Sequence, residues 1–208
     1  MGYYIFSYGI EVEKVKSVFN SNNENTLELI KKTEEFENYK DFLPEGKTTT
    51  PAKALEDIIK GNPYDEKSDF AYGYALICIC VALGKELPYT QEIKMWAETD
   101  LIDKYLAEDF GIKDLEVNGS LLFIDEPIPF NIPPREDWPV INVLNTNQLV
   151  EIYEKMKHIE IKDDEVEQLL DGDDEDEDKG CVYEHIRGII VNIEYCIKNN
   201  LEMINFCH

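Results

Sequence analysis

Carboxylates are the side chains of this chain that could most obviously do chemistry. Asp171-Gly172-Asp173-Asp174-Glu175-Asp176-Glu177-Asp178 sets acidic groups at all but one of its positions. Oxygen ligands at that density suit a cation or a basic protein surface. The calcium loop of an EF-hand needs Gly at its sixth position and Glu at its twelfth. A loop counted from Asp173 reaches Glu184 at the twelfth but has Asp178 at the sixth, so no metal ligand is assigned. As a charge run the segment reads first as solvated chain. As a functional element it reads as a docking surface for a basic partner.

Thiols and imidazoles offer less. Cys78-x-Cys80 lacks the CxxC spacing of zinc or redox sites, and residues two apart on a helix point about 200° apart. Buried free thiols are the expectation. His185 and Cys196 fall on one flank of a helix but roughly 16 Å apart along its axis, too far to hydrogen-bond. Cys181, His185 and Cys207 could supply three corners of a tetrahedral site, with no fourth ligand indicated. Gly46-Lys47-Thr48 has the tail of a phosphate loop without its upstream glycine or leading strand. Neither HExxH, GxSxG nor a Rossmann fingerprint occurs, so no catalytic residue and no cofactor is assigned.

The whole chain shares the acidity of that run. Forty-four Asp and Glu stand against 20 Lys and Arg, a net charge of -24 over 208 residues. Without residues 163–178 the remainder stays strongly negative. Such a field repels nucleic acid and anionic lipid and attracts basic surfaces, so neither nucleic acid nor membrane is an expected partner. The hydrophobic content, 43%, suits a packed globular domain. The N-terminus has neither a basic n-region nor a long apolar h-region, and the longest apolar stretch, Ala75 to Leu83, is too short to span a bilayer. Five scattered cysteines read as reduced thiols. A cytoplasmic protein is expected.

The elements that must position these groups can be read in order. Tyr3 to Tyr8 is an aromatic, β-branched strand. Val12, Val15, Val18 and Phe19 mark a short amphipathic helix, and a second runs from about Glu24 to Tyr39. Thr50-Pro51 starts a helix that Gly61 ends. The segment from Ser68 or Asp69 to Gly84 is apolar on most sides and reads as the central helix. Ala97 to Phe110 is a further helix. Leu121 to Ile124 is a short strand, paired with Leu115 to Val117 through Asn118-Gly119. Five prolines between Pro127 and Pro139 make 127–139 an extended surface loop, and its Trp138 is a candidate interface anchor. A helix follows Asn145 to Asn147. Val182, Ile186, Ile189, Ile190, Ile193 and Ile197 give the clearest helical stripe, and Leu201 to Phe206 reads as a closing strand.

Gly2-Tyr3-Tyr4 with Tyr8-Gly9, the block Ala54-Leu55, Ile58-Ile59, Gly61 and Pro63, and Tyr72-Gly73-Tyr74-Ala75-Leu76 with Cys80 resemble an uncharacterised family of small bacterial cytosolic proteins. That family is a domain of unknown function, and the likeness covers roughly the first half of the chain. It implies a bacterial source and a compact domain, and it carries no catalytic residue across.

The expected fold is therefore α+β, a mostly α-helical single domain over 1–208 with a small β component. The acidic stretch 171–180 is expected to be a mobile inserted loop. The leading expectation for function is a non-enzymatic acidic protein that binds a basic protein, in the manner of an immunity protein or antitoxin. Its contacts would be Asp171, Asp173, Asp174, Glu175, Asp176, Glu177 and Asp178, with Trp138 as apolar anchor. The alternatives are a small hydrolase built on carboxylates or a metal, and a housekeeping or regulatory domain whose acidity only keeps it soluble.

Overall fold

The computed structural model describes residues 2–134 and 138–208. Residues 135–137 of the proline loop and the side chain of Glu175 in the acidic run lie outside the described residues. At the centre are two strands from opposite ends of the chain. β1 (Tyr4–Ile10) pairs antiparallel with β5 (Glu202–Cys207), from Ile5 opposite Cys207 to Ile10 opposite Glu202. β4 (Val140–Leu144) pairs with the far edge of β5, while the short β2 (Lys85–Glu86) and β3 (Ile93–Lys94) both pair with the outer edge of β1.

Strand side chains alternate faces, and here each face meets its own core. Phe6, Tyr8 and Ile10 of β1, Ile204 and Phe206 of β5, and Ile141 and Val143 of β4 face one cluster. It is filled by α1 (Val12–Lys16), α2 (Glu24–Ile30), α3 (Glu34–Tyr39), α4 (Pro51–Lys60) and α5 (Asp69–Leu83). Ile5, Met203, Cys207 and Leu144 face the other, filled by α6 (Ala97–Glu108), α7 (Thr146–Met156), α8 (Asp163–Leu170) and α9 (Asp174–Asn199). The molecule is an antiparallel sheet between two helical layers, with about half of its residues helical. The expected α+β class is observed, with α5 as the buried central helix: its residues Asp69 to Cys80 are all buried. No helix among the described residues is long and apolar enough to cross a membrane.

Three expectations need correction. The acidic run is not an inserted loop. Asp171 to Asp173 form the tip of a helical hairpin, and the rest of the run opens α9. The Asp173 carboxylate accepts the Asp176 N–H at 3.2 Å, and acidic residues in a first helical turn complement the helix dipole, so the charges favour helix there. The helix expected over 24–39 is two, because the Thr33 hydroxyl caps a new helix by accepting the Phe36 N–H at 3.2 Å. Residues 115–124 form no hairpin; a single parallel bridge joins Asn118 and Phe123. Their backbone hangs instead on two sheet side chains, Asn205 donating to the Leu122 carbonyl at 2.7 Å and Asn142 to that of Ile124 at 2.8 Å. Val140–Leu144, between the proline loop and the next helix, forms β4, an element the sequence alone does not announce.

Asp65 pins the approach to α5. Its carboxylate accepts hydrogen bonds from Thr48, Thr49 and Ser68 at 2.6, 2.9 and 2.8 Å. Those hydroxyls, Thr48 foremost, hold the carboxyl at about 2, below the usual 3.8. A carboxyl depressed by folding contributes stability that is present above its unfolded pKa and lost as pH falls through the folded one. Urea melts of wild type and Asp65→Asn should therefore differ most above pH ~4 and converge as pH falls towards ~2. A difference that does not change across that window would remove Asp65 from the acid response.

Candidate functional site

The sheet's outer edge is interrupted, and the interruption makes a cleft. Tyr8 and Gly9 of β1 meet β2, Tyr4 and Ile5 meet β3, and Phe6 and Ser7 fall between the two pairings. Gly84 starts the crossing segment. A Cβ there would lie 2.4 Å from the Cys80 carbonyl oxygen and 3.0 Å from that of Gly9, so only glycine lets α5 hand over to β2 this close to β1. The connection from Leu87 to Glu92 then bows away from β1, with α3 facing it across the gap. The cleft between them measures about 370 Å³, within the range of small-ligand sites.

Its walls are acidic and aromatic. Glu34 and Glu35 come from the first turn of α3, Glu86 from β2 and Glu92 from the approach to β3, with Tyr8, Tyr39, Tyr89 and His208 between them. Among the described residues its lining holds neither Lys nor Arg. Several nearby and distant cations are held in ion pairs of their own: Lys31 with Glu28 and Glu56, Lys40 with Glu37, Lys53 with Asp57, Lys179 with Asp109. Among the described residues none of the four cleft glutamates has an ion-pair partner. Burial, then Glu35, Glu86 and Glu92, pushes the Tyr8 phenol up to about 12. Tyr39 is raised further, by burial and then its neighbours, Glu35 and Glu92 among them. Burial holds the His208 imidazole below its usual range, with Glu92 opposing, so it is neutral at pH 7. Tyr39 Oη lies 2.9 Å from His208 Nε2. Uncompensated carboxylates beside neutral hydrogen-bonding rings give the cleft a negative local field.

The bowed wall is held rigidly to α9 through Tyr89. The Asn192 amide pairs with both backbone groups of Tyr89, accepting its N–H at 2.9 Å and donating to its carbonyl at 2.8 Å. The ring lies directly on Gly188, where a Cβ would come within 2.2 Å of Cδ1. The hydroxyl lies 2.7 Å from His185 Nδ1 and 3.2 Å from Gln91 Oε1. His185 Nε2 in turn lies 3.1 Å from Glu98 Oε2, which also accepts the Lys94 N–H at 2.6 Å. Burial pushes the Glu98 carboxyl up, but the bonds from His185 and Lys94 outweigh it and leave it below its usual range. Burial, with Glu184 and Glu98 nearby, keeps the Tyr89 phenol protonated well above its usual value. The chain Glu98–His185–Tyr89 is thus a carboxylate, an imidazole and a phenol in series.

A family model matches residues 1–208, and its description is Domain of unknown function (DUF7691). The chain belongs to that family. No curated protein and no solved structure matches it. The match extends the likeness read from the first half of the sequence to the entire DUF7691 chain.

Few of the sequence-predicted residues meet in the DUF7691 fold. Asp171 to Asp178 sit at the α8–α9 tip and line neither this cleft nor the aromatic cavity described below; for Glu175 only the backbone position is described. Trp138 is half-buried rather than projecting. It stacks on Tyr3 at 3.9 Å and meets Trp96 edge-on at 6.3 Å. Cys181, His185 and Cys207 are not assembled, since the described residues contain no group of three or more His, Cys, Asp or Glu placed to hold a metal. The thiols of Cys78 and Cys80 are buried, and burial, with Glu35 beyond it, pushes Cys78 up to about 12. The cleft glutamates lie at positions 34, 35, 86 and 92, with no spacing that a reader of the sequence could use. Gly188 was the available signal: a glycine within the strongest helical stripe marks a close approach.

Gly188 gives a direct test of the staple. Gly→Ala inside a helix ordinarily stabilises by ~1 kcal/mol. Here Gly188→Ala should lower the urea midpoint and speed amide exchange across residues 87–92. Adding Tyr89→Ala should relieve the clash and recover much of the loss. A stabilised Gly188→Ala would mean that the ring does not rest there.

Proposed function

We propose that this protein is a binding protein for a basic protein partner, with the glutamate-lined cleft receiving a cationic side chain. The observation that carries the reading is the set of four cleft glutamates, none ion-paired among the described residues, in a cleft whose described lining has no Lys or Arg. The net charge of -24 supports it by drawing a basic partner in at long range. In this reading Asp171, Asp173, Asp174, Glu175, Asp176, Glu177 and Asp178 steer the encounter from the α8–α9 tip. A bacterial, cytoplasmic immunity or antitoxin-like protein is the concrete form, since a target built for phosphate offers the basic surface such a field seeks.

The experiment is a low-salt pull-down from host lysate followed by binding kinetics on the protein recovered. Wild type is compared with a variant carrying Asn and Gln over 171–178, and with Glu34→Gln, Glu35→Gln, Glu86→Gln and Glu92→Gln combined. The tip variant should slow association and flatten its salt dependence. The cleft variant should speed dissociation. A partner that both variants bind like wild type would overturn the reading.

One observation favours a second reading, a small carboxylate-based hydrolase. As its oxygen attacks, a phenol hydrogen-bonded to an imidazole can pass its proton to that imidazole, whose cation the carboxylate stabilises, and the imidazole can return the proton to the leaving group. Tyr89→Phe keeps the ring on Gly188 and loses the hydroxyl. On the first reading it leaves partner binding unchanged; on the second it abolishes turnover.

A further inference from the structure

Beside the acidic cleft lies a second cavity of about 510 Å³ with a different lining. Tyr3 and Trp138, stacked on each other, form one wall, and Phe42, Phe70 and Tyr74 form the other. Phe42 meets Phe70 and Tyr74 edge-on at 5.7 and 5.4 Å, yet it is 47% exposed, a large apolar residue left uncovered at the rim. Among the described residues the cavity's charges are Lys47 and Asp69, which pair with each other at 3.3 Å. The aromatic half therefore offers apolar area and little net field.

The two cavities share His208 in their linings. What separates them is about one ring thick. The His208 ring touches Tyr39 on the acidic side at 5.4 Å and Tyr74 on the aromatic side at 5.8 Å, and Tyr39 and Tyr74 are themselves 4.8 Å apart. Residues two apart on one face of an extended chain are separated by ~7 Å. A single short segment can therefore present one side chain to each half.

We infer that the site's partner is a polypeptide segment carrying a cationic side chain and, within two residues of it, a large apolar side chain. The cation enters the cleft of Glu35 and Glu92. The apolar group seats between Trp138 and Phe42. This rests on the reading that the cleft takes a cation, and it adds the chemistry that distinguishes one basic partner from another. Charge complementarity supplies attraction, while burial in an aromatic pocket supplies the selectivity that charge alone lacks.

The test uses three capped tripeptide amides, Arg-Ala-Phe, Arg-Ala-Ala and Gln-Ala-Phe, with phenethylammonium as a small amine. Binding to the full chain is followed by NMR shift perturbation. Arg-Ala-Phe should bind about tenfold or more tightly than either other peptide, the order expected for burying one phenylalanine ring. Phe42→Ser should bring Arg-Ala-Phe down to the level of Arg-Ala-Ala and leave the latter unchanged. Phe42→Leu, which keeps the apolar volume, should restore most of the difference, and Glu35→Gln with Glu92→Gln should weaken both arginine peptides. If the two arginine peptides bind alike, and both still depend on the glutamates, the aromatic half is overturned while the cation reading stands. If neither arginine peptide binds, the cation reading itself falls. If phenethylammonium binds as tightly as Arg-Ala-Phe, the site is one for a small aromatic amine and the polypeptide assignment is overturned.

Discussion

The pairing of β1 with β5 is the constraint on which the rest of the molecule depends. It joins residues about two hundred positions apart and forms the middle of the sheet, so each strand has a hydrophobic side chain in both cores. A one-residue slip would exchange the two faces of a strand, sending Phe206 towards α9 and Asn205 towards α5. The register is held where the two cores differ most. On one face Phe6 stacks against Phe206 at 5.3 Å. On the other, Ser7 donates to Asn205 at 2.7 Å, and Asn205 donates onward to the Leu122 carbonyl. A buried asparagine with that specific demand penalises a wrong register more than it strengthens the right one.

The cleft is a by-product of how that central pair is edged. A continuous strand beside β1 would have closed it. Instead β2 and β3 each cover two residues, and the chain between them is drawn away from the sheet towards α9. His185, Gly188 and Asn192 lie on one face of that helix at spacings of three and four, so a single helical stripe receives the hydroxyl, the ring and the backbone of Tyr89. The concave wall is shaped by packing from behind, which leaves its front surface free to be chosen for charge.

Much of the architecture was legible in the sequence for local reasons. The apolar run of α5, the Thr50-Pro51 start and Gly61 stop of α4, and the isoleucine stripe of α9 each carry a signal within one or two turns of helix. What was lost depended on partners distant in sequence. Val140 to Leu144 reads as an unremarkable apolar run until β5 is beside it. Leu121 to Ile124 has strand-like residues, but the sheet addresses it through asparagine side chains rather than through a ladder. The acidic run looked like loop because charge density suggests solvent, yet the acidic residues from Asp173 onward stand at a helix start and favour the helix. The candidate site was the least legible part. Its glutamates come from α3, β2 and the approach to β3, and nothing unites them before β1 and β5 have met.

The placement of β5 also orders events in time. A ribosome delivers β1 about two hundred residues before β5, and the sheet's middle position waits for the later strand throughout. Until then α1 to α5 can gather on one side and α6 to α9 on the other, but the surface that should divide them has a missing centre. Both half-cores then present apolar faces to one another across the gap. The growing chain is thus most exposed to misassembly just before β5 emerges, and that one strand seals both layers at once.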